Sequence, residues 1–345
     1  MSRLVAIAVG LFIALAPARA DEPGGAAAEV VPLRFGWSAP ARAKVTYRRT
    51  RIRTGQKAGT FTARYETVAE PGEEGELRVS VRGTAWRGDL PVPPALAPEA
   101  IRAAEQVVQR VRAQGEFAGL EGVEAMRPVL ARVLEDARLP PDQAERALGL
   151  ALSATRAEAE EIWNLAVGFW SGADLRLGQT YELQSEAELP LLPGVRAPQA
   201  VQFGVRRRVP CAASERVARC VEVVLRSTPD RASLERATPA LLARLLPPRD
   251  AEDGDGEAPA RPVPTLTAER ALVLVTDPET LLPRRVVWTK SVTLGGSDRG
   301  RPEAEEIDRS EWDYRWLPPP PPPRAAPARR RAPPAAALDQ PSPPA

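Results

Sequence analysis

Few side chains in this 345-residue chain can do chemistry near neutral pH. The two cysteines, Cys211 and Cys220, both fall in RRRVPCAASERVARCVEVVLRST, residues 206–228, and there is no histidine. Histidine is the usual general base, the partner of serine and cysteine nucleophiles, and the commonest metal ligand. A zinc site built on two cysteines would need several carboxylates, a set outside the usual ligand combinations. Asp and Glu total 45, so carboxylate pairs and oxygen-ligand calcium sites remain to be weighed. The nearest candidate, DAEDGDGE at 250–257, lacks the D-x-D-x-D-G spacing and a glutamate at the twelfth position, and it reads as a solvated loop. No catalytic constellation emerges. The chain is expected to be a non-enzyme, with no cofactor and no metal.

What the cysteines do depends on the compartment. The chain opens MSRLVAIAVGLFIALAPARA: one arginine, an apolar run from Leu4 to Ala16, and small residues at Ala18 and Ala20 form a secretory signal cut near Ala20. The run is shorter than the roughly 20 residues a membrane-spanning helix needs, and no second run follows, so no transmembrane segment is expected. The product is expected in the periplasm or outside the cell. An oxidising address favours a disulfide, and C-x8-C is not the C-x-x-C of thiol oxidoreductases. Val201–Val209 and Val221–Leu225 read as strands, which sets Cys211 and Cys220 at the feet of a hairpin loop, close enough to bridge.

The surrounding elements follow from period. Residues 21–32 have the composition of a flexible leader, and the fold is expected to span 33–316 as one domain. AKVTYRRTRIR (43–53), TFTARYETV (60–68) and LRVSVRGTAW (77–86) alternate apolar and polar residues between Gly-rich turns, the mark of an antiparallel meander with one wet face. Leu77, Val79, Val81 and Ala85 are expected inside. Over 99–170 the spacing turns helical, with Ile101, Ala104, Val108 and Val111 on one stripe, which predicts three or four inserted helices and a bend at Gly149 or Ser153. IWNLAVGFW (162–170) reads as the docking face of that insert. Strands return at 179–189, 200–209, 218–228, 269–277, 284–294 and 305–316. A stretch rich in acidic residues and Pro, 249–264, predicts a loop. Beyond 316, PPPPPPRAAPARRRAPPAAALDQPSPPA predicts a disordered tail, in which Arg324, Arg329, Arg330 and Arg331 could touch an anionic envelope partner. The formal net charge of +2 gives no reason to expect nucleic acid.

Two short motifs carry a family likeness. LVLVTDPETLLPRRVVWTK, residues 272–290, resembles the D-x-x-T-x-L-P-x-R hairpin of the periplasmic lipoprotein-carrier-like superfamily. ADLRLGQTYEL, residues 173–183, is similar to the L-x-x-G-x-x-Y strand entry of related secreted proteins. The resemblance implies an α+β fold in which a large, strongly bent antiparallel sheet, a half-barrel, half-closes around helices and holds acyl chains. The insert of 99–170 is larger than that family's plug, and the cysteine hairpin and Pro-rich tail are not part of its pattern. From the residues themselves, Trp312, Tyr314 and Trp316 recur at period two and share one strand face. With Trp288 on the neighbouring strand they are candidates for the wall of an apolar-ligand cavity, or for core beneath a helix. The expected function is that of a non-enzymatic carrier or binding protein for a lipid or other apolar ligand. The alternative is a structural or protein-interaction component of the envelope.

Overall fold

The computed structural model describes residues 29–89, 93–135, 139–190, 192–245, 266–295 and 302–318. The segments expected as a signal over 1–20 and as a loop over 249–264, and the arginines at 324 and 329–331, lie outside those residues. Strand β1 (Val30–Pro32) precedes a meander of β2 (Ala41–Arg53), β3 (Gly59–Pro71) and β4 (Leu77–Gly88). Helix α1 (Ala97–Ala104), the hairpin of β5 (Val108–Val111) and β6 (Phe117–Glu121), and helices α2 (Arg127–Glu135) and α3 (Pro141–Trp163) follow. Helix α3 runs on through a π-helical turn at Asn164–Gly168. Strand β7 (Asp174–Arg176) leads to β8 (Tyr181–Leu189), β9 (Leu192–Val209) and β10 (Cys220–Pro229). Helix α4 (Arg231–Leu245) comes before β11 (Leu266–Thr276), β12 (Pro283–Gly295) and β13 (Pro302–Trp316).

Eleven strands form one antiparallel sheet in the order β6-β5-β4-β3-β2-β13-β12-β11-β10-β9-β8, while β1 pairs with β7 in a separate ribbon. The first and last strands of the sheet, β2 and β13, meet at its centre, with Ala43 opposite Trp316 and Arg53 opposite Glu306. The edges are β6 and β8, the last strand of this sheet before α2 and its first strand after α3, and the sheet is not closed into a barrel. Laid flat, eleven strands at ~4.8 Å spacing would span about 50 Å. Yet one apolar cluster unites Val79 and Val111 from one flank with Val205 and Val223 from the other, around Trp163 and Trp170. The sheet must curve about the end of α3 to bring them together. Two smaller clusters seat the other helices: Ala237 of α4 against Ala268, Val292 and Leu294, and Ala100 and Ala103 of α1 against Val129 of α2.

The α+β architecture is the one expected, and four details differ. The segment 99–170 holds three helices and a strand hairpin: Val108 and Val111, placed on a helical stripe by spacing, form β5, where they pair with Ser80 and Leu77. Four residues are too few for periodicity to separate helix from strand. Helix α3 passes unbroken through Gly149 and Ser153, and its irregularity comes later, at the π-helical turn. On β4 the register against β3 shifts between Arg64 and Glu66, where Gly83 takes a positive φ of 65°. That bulge reverses parity, so Ala85 is exposed and Trp86 packs beside the α1–α2 cluster. The leader expected to reach residue 32 ends earlier, because Val30–Pro32 pair with β7 and Val31 is fully buried.

The short motifs converge at one end of the fold. Leu33 donates its N–H to the Ala173 carbonyl, and Arg34 and Gly36 donate theirs to Pro278 and Thr280 of the β11–β12 turn. The Trp37 indole donates to the Leu281 carbonyl at 3.3 Å. Asp277 closes that turn by accepting the Glu279 N–H at 3.0 Å. Gly178, at φ 78°, turns the chain across β9 and donates to the Val205 carbonyl. There the backbone passes so close to Gly204 that a Cβ would overlap the Gln179 carbonyl oxygen.

Candidate functional site

A cavity of about 320 Å³ lies between the concave sheet face and the end of α3. Tyr65 and Val79, on β3 and β4, and Trp312 and Tyr314, on β13, form its floor, while Ile162 and Val167 roof it. The volume is at the lower end of the range for ligand pockets, roughly 300–1,000 Å³, and the mostly apolar, aromatic lining is of the usual kind. The π-helical turn widens the helix where Ala166 and Val167 meet the cavity, a distortion that helices often show at binding sites.

Its walls are set by aromatic packing. Trp37 meets Trp163 edge to face at 5.2 Å and Trp316 at 5.1 Å, and Tyr47 stacks on Trp312 at 5.0 Å. The indole N–H groups behind the wall are paired: Trp163 donates to the Gly115 carbonyl at 2.8 Å and Trp316 to the Pro283 carbonyl at 2.8 Å. Such pairing fixes each ring's orientation. Burial pushes the Tyr65 phenol well up, the Tyr314 and Tyr47 phenols add to this, and a hydrogen bond with Trp312 offsets part of it. Burial alone pushes Tyr314 up. Both therefore stay protonated at neutral pH and present hydroxyl groups.

Of the four aromatic residues expected on one wall, Trp312 and Tyr314 line this cavity. Trp316 instead packs behind Trp37, stacked on Tyr314 at 6.3 Å. Trp288 faces a second, much smaller cavity of about 30 Å³, which shares only Ile162 and Trp312 with the first. Trp37, Tyr65 and Trp163 were not named as site residues. Tyr65 had a signal, its inward parity with Phe61 and Ala63, and Trp163 another, its place in IWNLAVGFW.

Beside the aromatic floor runs a polar belt with no counterpart among the expected sites. Glu161 of α3 accepts from Arg270 of β11 at 3.1 Å and from Lys290 of β12 at 2.9 Å. Arg270 also donates to the Glu188 carbonyl, and Lys290 sits 5.9 Å from the Trp288 ring centre, a cation–π contact. Arg49 and Arg51 of β2 both hold Asp308 of β13. The belt fixes α3 over the sheet by charge on one side of the cavity, as the tryptophans fix it by packing on the other. The signal was the parity of Arg270 and Lys290, both on the inward face of otherwise apolar strands.

Cys211 and Cys220 form a disulfide with Cα atoms 5.0 Å apart. Cys220 pairs in register with Val209, and Cys211 lies two residues beyond it, so the bridge ties the loop back to the start of β10. Neither cysteine lines the cavity. Among the described residues no group of three or more Cys, Asp or Glu side chains is suited to hold a metal, and no helix is long and apolar enough to cross a membrane.

No protein-family model matches the chain, and no curated protein matches it. Among solved structures, one described as lipid-protein interactions in lipovitellin aligns at 11% identity and a TM-score of 0.41, over 83% of this chain and 26% of the other. The chain thus spans about a quarter of that one's length. DynF, from the dynemicin biosynthesis pathway of Micromonospora chersina, aligns at 9% identity and a TM-score of 0.19, over 88% of this chain and 89% of the other.

Proposed function

We propose that the protein is a non-enzymatic carrier or binding protein for a lipid or other apolar ligand, acting after export from the cytoplasm. The observation that carries this reading is the apolar cavity of about 320 Å³ left open beneath α3, on a sheet face that the helices otherwise cover. A buried face that served only as core would pack to crystal-like density, with few voids larger than a water molecule. The space is of the size that holds part of an apolar chain. Export is supported by the amino-terminal signal pattern and by the disulfide, which an oxidising compartment maintains. The absence of histidine supports a role without acid–base catalysis.

The test is native mass spectrometry of the protein purified from its own host without detergent, followed by solvent extraction. The expected result is a near-stoichiometric adduct of lipid mass that extraction releases. A bare mass, together with no binding of any medium-chain lipid added back, would remove the carrier reading and leave the interaction role.

A further inference from the structure

We infer that the ligand is uncharged in the part the cavity encloses: a medium-chain alcohol, ester or comparable neutral lipid, and not an ionised fatty acid. This inference rests on the carrier reading and narrows it.

Of the described residues that line the cavity, none is Asp, Glu, Lys or Arg. The polar atoms present are neutral: the hydroxyls of Tyr65, Tyr314, Ser80, Thr67 and Thr155 and the amide of Gln109. Thr155 already donates to the Ala151 carbonyl at 2.9 Å, whereas at Tyr314 burial alone acts on the hydroxyl, with no hydrogen bond offsetting it. Neutral hydroxyls suit a ligand hydroxyl, ester or carbonyl. An ionised carboxylate enclosed among them would lose its hydration and gain no cation, a loss that ordinarily makes a buried acid take up a proton instead.

One group of charges stands across Ile162 and Trp312, around the smaller cavity. They offer an anionic head no better place. Asp308 is held by Arg49 and Arg51, and Glu161 by Arg270 and Lys290, so each of these cations already faces a carboxylate. The space there, about 30 Å³, is also far smaller than the main cavity.

The experiment is calorimetric titration of the full, lipid-stripped protein with 1-decanol and with decanoic acid between pH 5.5 and 7.5. Decanol is expected to bind with a pH-independent Kd. The Kd of decanoic acid is expected to rise about tenfold per pH unit, because only its protonated fraction enters; a free carboxyl titrates near 4.3. A flat decanoate Kd, or one within threefold of decanol at pH 7.5, overturns the inference while leaving the carrier reading intact. Binding of neither compound overturns both. In Thr155→Lys, which adds an ammonium to the wall, decanoate at pH 7.5 is expected to tighten at least tenfold. If the variant keeps the wild-type circular dichroism and decanoate does not tighten, the missing cation was not what excluded it, and the inference fails.

Discussion

Arg49 on β2 grips both carboxylate oxygens of Asp308 on β13, Nε to Oδ1 at 2.8 Å and Nη2 to Oδ2 at 2.5 Å, across the central seam of the sheet. Burial pushes the Asp308 carboxyl up, but the Arg49 hydrogen bonds and the charges of Arg49 and Arg51 outweigh it and hold the group below its ordinary value. Its stabilising contribution is therefore fully present above the unfolded value of ~3.9 and is lost as pH falls through the folded value. On acidification from pH 5 to pH 2 the melting temperature should fall, and it should fall less in Asp308→Asn. Equal slopes in the two proteins would show that this pair does not contribute to acid lability. At pH 7, Arg49→Met should lower stability by about 2 kcal/mol, the scale of a hydrogen bond to a charged group, read by urea unfolding.

Glu161 is the point where α3 is bound to the C-terminal half of the sheet. Glu161→Gln leaves Arg270, 8% exposed, facing a neutral amide. Removing one partner of a buried ion pair costs about 3 kcal/mol. Amide exchange in α3 should accelerate more than exchange in β12, since the helix loses its charged anchor while the strand keeps both neighbours. Uniform acceleration would mean that α3 and the sheet open as one unit.

Two glycines should respond oppositely to alanine. Gly204→Ala drives a Cβ into the Gln179 carbonyl where the chain crosses β9, and overpacking of this kind costs about 1–3 kcal/mol. Gly149, in the middle of α3, meets no atom within 4 Å of an added Cβ. There Gly149→Ala should add about 0.5–1 kcal/mol through helix propensity. Denaturant midpoints moving the same way in both variants would contradict this placement of the chain.

Replacing Cys211 and Cys220 together with Ala should lower stability by about 2–3 kcal/mol, the chain-entropy effect of a short loop. Decanol affinity should not change, because neither cysteine lines the cavity. A change of more than threefold in Kd would tie the loop to the site.

The sheet was legible in the chain because alternation assigns faces locally. Trp312, Tyr314 and Trp316 fall on the concave side by parity alone, and the spacing of the cysteines at the feet of a hairpin pointed to their bridge. Parity marked Arg270 and Lys290 as inward, but their pairing was not legible, because Glu161 stands 109 and 129 positions away and no local pattern says which helix a strand will meet. Val108 and Val111 misled because spacings of three and four also arise by chance across a helix–strand junction. The cavity itself leaves no trace in the sequence, because its walls are side chains brought together from remote segments.

The seam between β2 and β13 also orders events in time. A chain made from its amino terminus completes β2 to β6 as a meander whose β2 edge stays unpaired until β13 arrives, and β8 to β12 wait with an open β12 edge for the same strand. Each half then carries an exposed template for pairing with another chain, and pairing of such distant segments is slow. Loss of residues 302–316 would not trim the border of the sheet. It would split the sheet down the middle, leaving two separate pieces, each with a raw edge where the other belonged.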